Sequence, residues 1–96
     1  MGSHHLYEED PHQQDIAVAK VLLHEHYDSW TIQNDICMLK LAEEADFSSD
    51  YVGAIDLPED GSPEAGDECT VCGWGTTTEG GSLAKVLMKV QKKVYL

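Results

Sequence analysis

A chain of 96 residues, 42% hydrophobic and 25% charged, has the composition of one small globular domain with a modest core, and it excludes a fibrous or disordered polymer. Eighteen acidic residues stand against six basic ones, all lysines, for a net charge of −12. That balance argues against nucleic acid or an anionic membrane as partners, since both need clustered Lys and Arg.

Residues 1–15 are polar and acidic; "MGSHH" reads in part as a tag-like start and "EEDPHQQD" as a loop. The run "IAVAKVLL" from Ile16 to Leu23 is short and rich in β-branched residues, which favours a strand over a short helix. It ends at "HEHYDS", where His24-x-His26 would put two imidazoles on one face of a strand. Such a pair is either a weak zinc or nickel contact or two solvated residues at a strand end.

The block "NDICMLKL", residues 34–41, sets Ile36, Met38 and Lys40 against Cys37, Leu39 and Leu41, an alternation that predicts a second strand. At its head stands Asp35, and a carboxylate there needs a reason, because desolvating it without a partner is costly. Either it faces water or caps a turn, or it is held beside a cationic or imidazole partner for catalysis.

Residues 42–68 are acidic and contain Pro58, Gly61, Pro63 and Gly66, the composition of a connecting segment with short ordered pieces around "YVGAIDL". "CTVCGWG" predicts a third strand running into glycines, "TTTEGGS" a loop, and "LAKVLMKVQKKVYL" a last strand or an amphipathic helix. Charge divides sharply along the chain, with −16 over residues 1–84 and +4 over 85–96. The basic end is a solvated strand face or a patch drawn to the acidic remainder of this or a neighbouring chain. No stretch is long enough to span a bilayer. Short strands separated by turn signals predict an all-β sandwich or barrel.

Three cysteines, Cys37, Cys69 and Cys72, leave one thiol free or paired elsewhere. Cys69-x-x-Cys72 alone does not make a structural zinc site, which needs four ligands.

The order of these blocks, "LLHEHYD", "NDICMLKL", "IDLP" and "CTVCGWGTTTEGGSLAKVLMKV", resembles the trypsin-like (chymotrypsin-fold) serine proteases from about Gly2 to Leu96. The resemblance implies part of a chymotrypsin-like antiparallel β-barrel, rearranged or completed by oligomerisation. It divides the chain into an acidic start (1–15), later strands of the first barrel (16–52), an inter-barrel linker (53–68) and opening strands of the second barrel (69–96). It makes Asp35 the acidic member of a Ser-His-Asp triad, poorly exposed, accepting an imidazole N–H and stabilising the imidazolium. Trp30 and Ile32 fall where family members line the substrate cleft, or are partly exposed loop residues. Gly73-Trp74-Gly75 matches the family's "G-W-G" and is expected to serve packing.

The same resemblance puts the catalytic histidine upstream of Gly2 and the nucleophilic serine beyond Leu96. His4, His5, His12, His24 and His26 match no triad position, so the chain is expected to be inactive alone. Cys69 lacks the partner many members supply, and Cys37 and Cys72 are expected as buried free thiols or a new pair. The acidic start occupies the family's calcium-loop region, yet Ser3 and Gln13 stand where two glutamates would frame the ion. No cofactor is therefore expected, with weak calcium or zinc binding left open. Two functions remain: a segment of a secreted trypsin-like endopeptidase, acting on peptide or protein only in the complete enzyme, or a non-catalytic β-rich scaffold derived from it. The expected partner is a second copy or a complementing chain, with neither nucleic acid nor membrane.

Overall fold

The computed structural model describes residues 1–58 and 63–95. Four strands appear in chain order: β1 (Val18–Leu23), β2 (Cys37–Leu41), β3 (Glu68–Gly73) and β4 (Met88–Lys93). They form two separate two-stranded antiparallel sheets, β1–β2 and β3–β4, and no helix occurs among the described residues. The fold is thus all-β and open, a part of a barrel. The 83–96 run, open between strand and helix in the sequence, contributes β4. Residues 53–58 adopt no regular structure, and residues 59–62 of the expected linker lie outside the described residues.

By contact the chain resolves into two units, residues 14–46 and residues 1–13 with 47–96. In the first, Val21 pairs with Leu39 and Leu22 with Met38, so the alternation read from "NDICMLKL" puts apolar side chains on both faces of the sheet. The register slips between Val18 and Lys20, a bulge at Ala19. Beyond it, Lys20 stands directly opposite Lys40, two like charges on one face. Gln14 and Asp46 close the base of the unit: the Gln14 amide donates to the Asp46 carbonyl at 2.8 Å and its oxygen accepts the Asp46 N–H at 2.8 Å.

In the other unit, Val71 faces Val90, Glu68 faces Lys93, and the Thr70 hydroxyl donates to Gln91 Oε1 at 3.0 Å. Residues 4–6 run antiparallel to 85–87: Leu6 N–H reaches the Lys85 carbonyl at 2.9 Å and Leu87 N–H the His4 carbonyl at 2.8 Å. That His4 carbonyl also takes the indole N–H of Trp74 at 2.9 Å, which gives the "G-W-G" tryptophan its packing role. Gly2 sits at φ 72°, and a Cβ there would meet the His12 carbonyl oxygen at 2.6 Å and Val52 Cγ2 at 3.1 Å. The close approach lets Val52, 8% exposed, be the one buried hydrophobic side chain among the described residues, while His12 and Tyr51 stack at 3.9 Å beside it.

The acidic start is held by Asp10. Its carboxylate accepts the backbone N–H groups of His4 (2.8 Å) and His5 (2.9 Å), the His5 ring Nδ1 (2.8 Å) and the Ser3 hydroxyl (3.4 Å). The side chains are 14% exposed for Asp10 and 42% for His5. Hydrogen bonds from the His5 and His4 backbone hold the Asp10 carboxyl far below the usual carboxylate range. The hydrogen bond to Asp10 raises His5 above its ordinary value.

Two predictions follow from these contacts. Replacing Lys40 by Glu turns a like-charge pair into an opposite one, which should stabilise the β1–β2 unit by about 0.5 kcal/mol in urea unfolding. For the Asp10 clasp, a lowered carboxyl stabilises above its unfolded 3.8 and the effect fades as pH falls through the folded value. A raised imidazole stabilises below its unfolded 6.5 and the effect is lost as pH rises through the folded value. The clasp should therefore be tightest between pH 3.8 and 6.5, read as slowest exchange of the His4 and His5 amides, with the window gone in Asp10→Asn.

Candidate active-site segment

Between β1 and β2 the chain makes a compact loop whose shape follows from Asp28, Ile32 and Asn34. The Asp28 N–H meets the Gln33 carbonyl at 3.1 Å, closing the loop as an isolated antiparallel bridge. Inside it, Asp28 Oδ1 accepts the Trp30 N–H at 2.8 Å and Oδ2 the Thr31 hydroxyl at 2.8 Å. These donors, the Trp30 backbone first, hold the Asp28 carboxyl below its ordinary value. Ile32 (φ 55°) and Asn34 (φ 54°) adopt left-handed backbone, which asparagine tolerates and a β-branched residue resists. The Asn34 side-chain amide donates to the His26 carbonyl at 2.9 Å, tying the end of the loop to its start.

Asp35 comes next. Ile36 N–H donates to the Asn34 carbonyl at 2.8 Å, so Asp35 is the centre of a three-residue turn leading into β2. Its side chain is exposed, and no hydrogen bond or ion pair engages it among the described residues. The expectation of a poorly exposed carboxylate is corrected: the side chain is exposed, since no segment covers this strand entrance among the described residues. Trp30 is 93% exposed and Ile32 60%, so the two predicted cleft residues share one loop with Asp35 and present apolar surface to solvent.

An isolated carboxylate accepts and orients a donor, but it has neither the nucleophile nor the base needed to open a carbonyl. His24 and His26 do not supply that base. They lie past the end of β1, in a turn rather than on a strand face, with ring centroids 6.0 Å apart. His24 Nδ1 is occupied by the His26 N–H at 3.1 Å. No cluster of three or more His, Cys, Asp or Glu side chains suited to a metal occurs among the described residues. In the acidic start, Asp10 is surrounded by N–H and O–H donors that take up both of its carboxylate oxygens. All three cysteines are free; Cys37 and Cys72 are exposed rather than buried, since each lies on a two-stranded sheet with open faces, and Cys69 is half-buried. Cys72 opens onto a groove of about 520 Å³ beside β3 and β4, between Lys89, Met88 and Thr76.

Asp28 is the loop-binding residue that pattern reading passed over. Its signal is "DSWT", an Asp followed at the second and third positions by a backbone N–H and a hydroxyl it can bind.

The comparisons with known proteins bear on this segment as a whole. The family model described as Trypsin matches residues 1–96. Trypsin V-A of Rattus norvegicus is 42% identical over 87 residues, covering 91% of this chain and 35% of its own length. Granzyme B of the same species is 38% identical over 95 residues, covering 98% of this chain and 38% of its own length. A solved structure titled "Structure of GrC" superposes with a TM-score of 0.83 at 36% identity, over 94% of this chain and 40% of that one. The chain thus spans little more than a third of the curated relatives it matches, and it belongs to the trypsin family of serine proteases.

Proposed function

We propose that this chain is the middle segment of a secreted trypsin-like serine endopeptidase and that Asp35 is the acid of its catalytic triad. The observation that carries the reading is the position of Asp35 at the entrance to β2, at the end of a loop that offers Trp30 and Ile32 to a peptide. The surface also supports a larger whole. Val21, Leu22, Met38 and Leu39 on β1–β2, and Val71 and Val90 on β3–β4, are all exposed. Further polypeptide of the same protein would cover the open faces of β1–β2 and β3–β4 and seat an imidazole against Asp35.

With that imidazole in place, the carboxylate accepts one ring N–H and leaves the other nitrogen free to act as base. The base takes the proton of a serine hydroxyl as its oxygen attacks the scissile carbonyl, then returns a proton to the leaving amine. Water repeats the sequence on the acyl-enzyme to regenerate the serine. Asp35 stays ionised throughout and stabilises the imidazolium. Trp30 and Ile32 line the cleft that receives the peptide.

Two outcomes are expected. A polypeptide of these 96 residues should show no turnover of fluorogenic trypsin or chymotrypsin substrates above buffer, and turnover that a serine-directed inhibitor abolishes would overturn the proposal. Asp35→Asn should leave the stability of this chain within about 0.5 kcal/mol, as for an exposed surface change. In the complete peptidase it should lower kcat by about 10⁴-fold, the loss known for the corresponding change in this family's triad. A stability loss above about 2 kcal/mol would mean the carboxylate anchors the fold instead.

A further inference from the structure

The loop between β1 and β2 holds its shape without a core. Trp30 at 93% exposure and Ile32 at 60% are not fixed by burial. The Ile32 backbone, at φ 55°, lies where a β-branched residue does not settle unaided. What opposes that strain is polar, and most of it runs through one residue. Asp28 donates its N–H to the Gln33 carbonyl, accepts the Trp30 N–H on one oxygen and accepts the Thr31 hydroxyl on the other. Asn34 adds one bond from the end of the loop, to the His26 carbonyl at its start. Neither Ser nor Asn at position 28 would do the same, because only a carboxylate offers two acceptor oxygens with no competing donor.

We propose that Asp28 is the positioning residue of this loop: its two carboxylate oxygens set the stance of Trp30 and Ile32 next to Asp35. The proposal rests on the reading of Trp30 and Ile32 as cleft residues, and it deepens that reading. An apolar side chain of an extended peptide would meet a surface already held in place, so the ordering cost is met in the free protein rather than on binding. Asp28 touches no reacting atom and acts only through the Trp30 backbone N–H and the Thr31 hydroxyl that its oxygens hold.

Amide exchange and 15N shifts of the 96-residue chain test the positioning. Asp28→Ala should speed exchange of the Trp30 amide by about tenfold, the factor corresponding to one ordinary net hydrogen bond. Asp28→Asn keeps an acceptor for the Trp30 N–H and should restore that amide, while the Thr31 hydroxyl stays released. Thr31→Val should release only the second contact and leave the Trp30 amide protected. The His24 amide, bonded to the Ile36 carbonyl in the adjoining ladder, should stay protected in every variant. An unchanged Trp30 amide in Asp28→Ala, with the His24 amide intact, overturns the proposal. If Asp28→Ala loses the ladder, Asp28→Asn decides: a Trp30 amide as fast as in the unfolded chain overturns it equally. In the complete peptidase, Asp28→Ala should raise KM for extended peptides at nearly constant kcat. A KM unchanged in Trp30→Ala would overturn the cleft reading, and with it the peptide role of Asp28, while the exchange data judge the positioning by themselves.

Discussion

A two-stranded antiparallel sheet has two faces and nothing of its own to cover either, and that limit governs this chain. Alternation along β1 and β2 sends Val21 and Leu39 to one side and Leu22 and Met38 to the other. In a larger sheet stack one such face would be polar and wet. Here both are apolar and both are exposed. β3 and β4 differ: Val71 and Val90 lie exposed on one face, while Glu68, Thr70, Gln91 and Lys93 make the other polar. The β1–β2 side chains are those of strands covered on both faces, and the strands present belong to a barrel that closes only with more strands than these.

Because burial contributes so little, polar contacts carry the local order. In one unit a single carboxylate, Asp10, gathers two backbone N–H groups, an imidazole and a hydroxyl, and folds the start of the chain onto residues 85–87. In the other, Asp28 does the same for the loop before β2. Each acid is the hub of a short-range network whose partners lie within seven residues, so each loop keeps its form without help from a core. The family likeness of the trace, at a TM-score of 0.83, is thus kept by strand ladders and by these networks.

The proposed role of Asp35 fits this division. A triad acid in a finished site is desolvated and paired; Asp35 is neither, since nothing described reaches it. It is placed by the turn that joins a strained loop to a strand, and the turn is complete within the chain. Position is therefore local, whereas the environment that would give the carboxylate catalytic value depends on residues brought from outside the segment.

Period-two alternation and β-branched runs determined the strands by themselves, because cross-strand pairing needs only neighbours in register. β1 and β2 fall inside the runs that predicted them, β3 begins at Glu68, one residue ahead of its run, and the family was legible from four blocks in order. The 83–96 run was ambiguous, since Lys and Val at that spacing suit a helix as well as an edge strand, and only pairing with β3 decided it. Exposure was not legible either. "NDICMLKL" reads the same whether its strand is buried or open, so the burial expected of Asp35, Cys37 and Cys72 awaited knowledge of what packs against them. His24 and His26 lost their common strand face because β1 stops at Leu23, one residue before them. Least legible was the Asp10 hub: a carboxylate bound to backbone N–H groups leaves no mark in residue type at those partners, so the folded structure decided that Asp10 holds the start of the chain, whereas Asp28 had a local signal in "DSWT".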